Sequence, residues 1–98
     1  MIRGTTPRII YKFPFDVASI TQIRIYFTQG NRTIIVKDES DCTFEDNTVS
    51  VTLTEEETFK FSAKKRIDVN ARFATGGVVG GTIHKYIDVY DTGSEEVL

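Results

Sequence analysis

The chain has no tryptophan, one cysteine and one histidine among its 98 residues. Each scarcity closes off a class of chemistry. A lone Cys42 excludes an internal disulfide and any multi-cysteine metal cluster, so the thiol reads as a small inert hydrophobe in a core. A single histidine, His84, leaves a nucleophile–histidine–acid constellation only one place to form. The acid nearest in sequence, Asp88, lies four residues along the same strand face, too far along an extended chain to orient the ring. A surface histidine is the simpler reading. No stretch approaches the roughly 18 apolar residues of a membrane span. Residues 1–15 contain Arg3, Arg8 and Lys12 but lack the apolar run and small-residue cleavage site of a secretory signal. A soluble chain folding in the cytoplasm is expected.

Concentrated charge is also missing. Twelve basic against fourteen acidic residues give a net charge of -2, which argues against a nucleic-acid partner, since phosphate neutralisation needs clustered Lys and Arg. The one basic cluster, Lys64-Lys65-Arg66, has no interleaved aromatics and reads as the solvated start of a strand. Glu55-Glu56-Glu57 complements a helix start without the spaced oxygen ligands of a cation loop. Gly76-Gly77 and Gly80-Gly81 lack the following helix and the Lys-Ser/Thr pair of a phosphate-binding loop. Asp38, Glu39, Asp41 and Glu55 to Glu57 fall in connectors, where solvation explains them better than paired-carboxylate chemistry. The expectation is a protein that is not an enzyme, with no cofactor, no metal and no small-molecule substrate.

What the chain does contain is alternation. With 40% apolar and 27% charged residues, it suits one globular domain burying somewhat over ~60% of its unfolded surface. Residues 8–13 are rich in β-branched and aromatic side chains and stop at Pro14, as a first strand would. Gly30-Asn31 is a two-residue hairpin turn. It sets Gln29 opposite Arg32, Phe27 opposite Ile34 and Ile25 opposite Val36, so Ile23, Ile25, Phe27, Ile34 and Val36 face inward. Arg24, Tyr26, Thr28, Thr33 and Ile35 then face outward. Asp46-Asn47 turns a smaller hairpin that points Cys42, Phe44, Val49, Val51 and Leu53 inward.

Thr54-Glu55-Glu56-Glu57 is a capping-box pattern starting one short helical turn, a crossover between sheets. Ile67, Val69, Ala71 and Phe73 alternate with the outward Asp68, Asn70, Arg72 and Ala74 up to the Gly76-Gly77 turn. A glycine bulge at Gly80-Gly81 would bring Ile83, Ile87 and Val89 inward, with Lys85, and leave His84, Tyr86 and Asp88 outside. Residues 1–90 are read as one domain and 91–98 as a flexible acidic tail.

Three hairpins and one short helical crossover predict an all-β fold, an immunoglobulin-like antiparallel β-sandwich. In strand letters the two long hairpins form one G-F-C-C′ sheet, and the crossover falls between E and F.

The blocks "RGTTPRIIYKFPFD", "ITQIRIYFTQGNRTIIVKD", "NTVSVTLTEEETFKF" and "IDVNARFATGGVVGGTIHKYIDV" together resemble the N-terminal domain of phage baseplate upper proteins and related small prophage proteins of Gram-positive bacteria. The likeness spans roughly residues 5–89, and "VSVTLTEEETFKF" is its most distinctive part. It implies a structural or assembly protein of a phage or prophage virion, tail or baseplate associated. Made in the host bacterial cytoplasm, it would join other virion proteins or its own copies. No catalytic or ligand motif comes with the resemblance.

The candidate interface is the outward face of the G-F-C-C′ sheet, with Tyr26, Ile35 and Tyr86 at its centre and Arg24, Arg72 and His84 around them, an apolar and tyrosine patch within a polar rim. The same residues could be an ordinary solvent face. The competing function is a small-ligand or carbohydrate-binding immunoglobulin-like module, against which the absence of tryptophan, the commonest sugar-stacking platform, weighs.

Overall fold

Seven strands form two antiparallel sheets in a computed structural model that describes residues 1–91. They are β1 (Arg8–Lys12), β2 (Ile20–Gln29), β3 (Arg32–Asp38), β4 (Cys42–Glu45), β5 (Thr48–Thr52), β6 (Ile67–Thr75) and β7 (Val78–Ile87), with one four-residue helix, α1 (Glu55–Thr58). The small sheet has the order β1-β5-β4 and the large sheet β3-β2-β6-β7. The fold is an all-β sandwich. Each strand sends alternate side chains into one shared core: Ile9, Tyr11, Val49 and Val51 from the small sheet, and Ile23, Ile25, Phe27, Ile67, Val69 and Ala71 from the large one. Between the layers the Tyr11 hydroxyl donates to the Val69 carbonyl at 2.7 Å. Burial pushes the Tyr11 pKa well up, with the Asp68 and Cys42 charges adding to it, so the phenol keeps its proton and stays a donor.

The crossover from β5 to β6 is built as its sequence implies. Thr54 Oγ1 accepts from the Glu57 N–H, and Glu57 Oε1 accepts from the Thr54 N–H, which closes the capping box on both sides. Glu57 also meets the Lys37 ammonium at 2.7 Å. Burial opposes charge on this carboxyl, but the Lys37 and Thr54 hydrogen bonds outweigh it and hold its pKa below the ordinary value. Further on, the buried Gln29 donates to the Ser62 carbonyl at 2.8 Å and accepts from the Ser62 N–H at 2.7 Å, tying the crossover loop to the end of β2.

The first hairpin keeps its turn but not its full register. Gln29 faces Arg32 and Thr28 faces Thr33 as expected, then Phe27 faces Ile35, Tyr26 faces Val36 and Ile25 faces Lys37. Ile34 is the extra residue of a bulge, so the expected pairs Phe27–Ile34 and Ile25–Val36 are both shifted by one. The physical reason is that consecutive isoleucines can both contact the core at a bulge: Ile35 is 7% exposed and Ile34 packs partly buried beside it. Val36 consequently turns outward, at 51% exposure, and Lys37 turns inward to reach Glu57.

The other two hairpins follow the expected registers. Cys42 faces Val51 and Phe44 faces Val49. In the last hairpin Phe73 faces Gly81 while Ala74 faces Val79, which leaves Gly80 as the bulged residue and sets Ile83, Lys85 and Ile87 opposite Ala71, Val69 and Ile67. Lys85 takes the inward register opposite Val69 but stays exposed at the sandwich margin, where its ammonium donates to the Ile10 carbonyl on β1 at 3.2 Å. Beyond β7, Ile2 pairs in parallel with Tyr90, and Arg3 lies 3.5 Å from Asp91. Of the expected tail only Asp91 is among the described residues; 92–98 lie outside them.

Gly80 is fixed by what lies over it. A Cβ there would stand 2.4 Å from Cε2 of Phe73, whose ring packs edge-on against Phe13 at 5.1 Å. Gly80→Ala should therefore displace the Phe73 ring and destabilise the fold by about 1–3 kcal/mol. Urea unfolding measures this, and an unchanged midpoint would show that the ring is not held against the bulge.

Candidate interface on the outer face of the large sheet

The pleat of the large sheet projects four rows of side chains away from the core, and the pairing determines their neighbours. One row runs Thr33, Thr28, Asp68, Tyr86; the next Val36, Tyr26, Asn70, His84; the third Asp38, Arg24, Arg72, Thr82; the last Gln22, Ala74, Val79. Five of the six residues singled out from sequence, Arg24, Tyr26, Arg72, His84 and Tyr86, share this face. Ile35 does not, since the β3 bulge buries it in the core, and Val36 takes its place beside Tyr26.

The apolar and aromatic part consists of Tyr26, Val36, Val79 and Tyr86, of which Val36, Val79 and Tyr86 are more than half exposed. Tyr86 has two neighbours at its ring. The Arg66 guanidinium sits 4.6 Å from its ring centre, and the His84 ring stacks alongside at 6.3 Å, tilted by only 13°. Arg66 is thus a ring-covering cation, where its sequence context suggested only a solvated strand start. His84 Nδ1 lies 3.0 Å from Asp68 Oδ1, a bond to the neighbouring strand that fixes the imidazole. Among the described residues no hydrogen bond joins His84 to a hydroxyl or thiol, and no group of three or more metal-ligating side chains occurs. No helix of the described residues is long and apolar enough to cross a membrane.

Three acids of this face, Asp38, Glu39 and Asp68, are committed internally. Glu39 Oε2 meets Arg24 Nη1 at 2.6 Å. Backbone N–H groups of Glu39 itself and of Ile23, with Arg24 beyond them, hold the Glu39 carboxyl below its ordinary pKa. Asp38 accepts from the Ser40 hydroxyl and N–H, which lower its pKa in the same way. Asp68 is taken by His84. Arg72, by contrast, is exposed and has no hydrogen bond or ion pair among the described residues. Beside it Gln22, Tyr26, Ala74 and Val79 line a depression of about 160 Å³. Ala74, anticipated as an outward residue, is its covered floor at 7% exposure. The buried side-chain oxygen of Asn70 has no partner among the described residues.

Sequence reading missed Gln22, Val36, Arg66 and Val79 as members of this face. Only Val36 left a trace, in the ambiguity of a tandem Ile-Ile-Val. The chain matches no family model, no curated protein and no solved structure.

Cys42 lies in the other layer, on edge strand β4, where its thiol donates to the Asp38 carbonyl at 3.3 Å. Its inward register is as expected, but at an edge the side chain is only half-buried, not fully enclosed. Burial, and then the nearby Asp41, Asp38 and Glu39 carboxylates, push its pKa up to about 11.

Two outcomes follow from these placements. Ile35→Asp should destabilise the fold by roughly 3 kcal/mol or more, while Val36→Asp should stay within about 0.5 kcal/mol; equal midpoints in urea would contradict the β3 bulge. Native Cys42 should label at pH 8 about a hundredfold more slowly than the unfolded chain, because thiolate is the reactive form. Its rate should climb as pH rises toward about 11. The raised pKa also contributes stability below the ordinary thiol value that is lost as pH passes through the raised one. Native labelling at the unfolded rate would rule this environment out.

Proposed function

We propose that this chain is a non-enzymatic assembly domain that works by association through the outer face of its large sheet. The observation that carries the reading is Tyr86, more than half exposed yet contacted by both the Arg66 guanidinium and the His84 ring, with Val36 and Tyr26 in the adjoining row. A rigid aromatic in a polar surround can bind without first losing side-chain freedom, which is the pattern of residues that dominate protein contacts.

The setting we propose is a phage or prophage virion, at the tail or baseplate, with other virion proteins or further copies of this chain as partners. It is made in the bacterial cytoplasm and then carried in the particle. What supports this setting is the resemblance of four sequence blocks to the N-terminal domain of baseplate upper proteins. An immunoglobulin-like arrangement is the finer reading of the sandwich. The strand orders β1-β5-β4 and β3-β2-β6-β7 favour it, as does the parallel pairing of Ile2 with Tyr90 beside the last strand.

Tyr86→Asp should leave the urea midpoint nearly unchanged and weaken association by more than about tenfold. Sedimentation velocity reads self-association, and co-purification with tail proteins encoded by adjacent genes reads partner capture. If the parent protein shows neither, or if Tyr86→Asp and Val36→Asp associate as the parent does, the outer face is not the working surface.

A further inference from the structure

Arg24 and Arg72 stand directly opposite each other on β2 and β6. Like charges so placed repel unless each is compensated. Arg24 is compensated by Glu39 at 2.6 Å, whereas Arg72 has no partner among the described residues. The Gln22 side chain beside it is likewise without a hydrogen bond there, and it too can donate. Both groups border the depression of about 160 Å³, which has a covered Ala74 at its base and Tyr26 and Val79 as walls.

The chemistry that satisfies this site has two ends. A planar anion suits the two-pronged donor of a guanidinium, and a short alkyl stem suits the alanine and valine surface. A phosphate fits less well, since its three oxygens would meet one uncommitted guanidinium and leave the apolar wall uncovered. We propose that the notch between Arg72 and Ala74 takes a carboxylate on a short alkyl stem, supplied by a glutamate side chain of the protein that docks on this face. The choice of a protein source rests on the face being the contact surface, and the charge balance agrees with it. Asp38, Glu39 and Asp68 are engaged within the chain, so the unanswered charge at the notch is positive.

The test uses glutarate as the probe and the uncharged glutaramide as its control. With methyl-labelled protein, glutarate should shift the Ala74 methyl and Arg72 Nε–H signals saturably, and glutaramide should not. Arg72→Gln, an exposed change that leaves the fold intact, should weaken glutarate binding about tenfold, the loss of one charge-assisted pair. No saturable shift, an equal response to glutaramide, or unchanged binding in Arg72→Gln overturns the site. Displacement of glutarate by lower concentrations of inorganic phosphate overturns its carboxylate preference. Glutarate binding needs no partner and is read apart from tail-protein capture. Capture without glutarate binding removes the notch and leaves the contact surface. Glutarate binding without capture overturns a protein as the source of the carboxylate. Where both occur, Arg72→Gln should lower capture about tenfold, and unchanged capture overturns the partner's glutamate as occupant.

Discussion

Strand β2 is the constraint on which the molecule depends. It is the one strand of the large sheet paired to β3 on one side and to β6 over nearly its whole length on the other, and its inward residues Ile23, Ile25 and Phe27 are completely buried. A slip of one residue would reverse every side chain it carries, exchanging the core for Arg24, Tyr26 and Thr28. Burying three large apolar side chains stabilises by about 1.5–3 kcal/mol each before entropy is counted, so one pairing wins decisively. The outer rows are the other half of the same decision: wherever Ile25 points in, Tyr26 and Arg24 must point out.

How much of this could be read from the chain depends on whether a residue's partner was local. The turns at Gly30-Asn31, Asp46-Asn47 and Gly76-Gly77, the capping box at Thr54, and the Gly80 bulge all announce themselves within a few positions, because backbone geometry there restricts the residue type. The β3 bulge has no glycine to mark it. Ile34 and Ile35 are equally apolar, and only the competition of both for one core, together with the reach of Lys37 to Glu57, selects the register. The face was legible as a face, from alternation alone, but not its contacts. His84 meets Asp68 sixteen positions away, not Asp88. Arg66 covers Tyr86, and Gln29 holds Ser62, through distances that no period encodes.

Energetically, the face resembles a surface prepared in advance. Tyr86 and His84 stack, Arg66 covers the ring, and Asp68 orients the imidazole. Each such contact is individually worth little at an exposed site. Together they restrict the side-chain freedom of Tyr86 and His84. The same arrangement leaves cationic and aromatic groups uppermost while the acids are turned to internal bonds.

Lys37 on β3 and Lys85 on β7 occupy the two outermost strands of the large sheet, and both turn their ammonium groups toward the sandwich mouth, one to Glu57 and the other to the Ile10 carbonyl. A strand added at either margin would meet a cation already anchored there. The sheet therefore has built-in terminators. Lateral addition of a strand at either margin of the large sheet would have to displace that anchored cation.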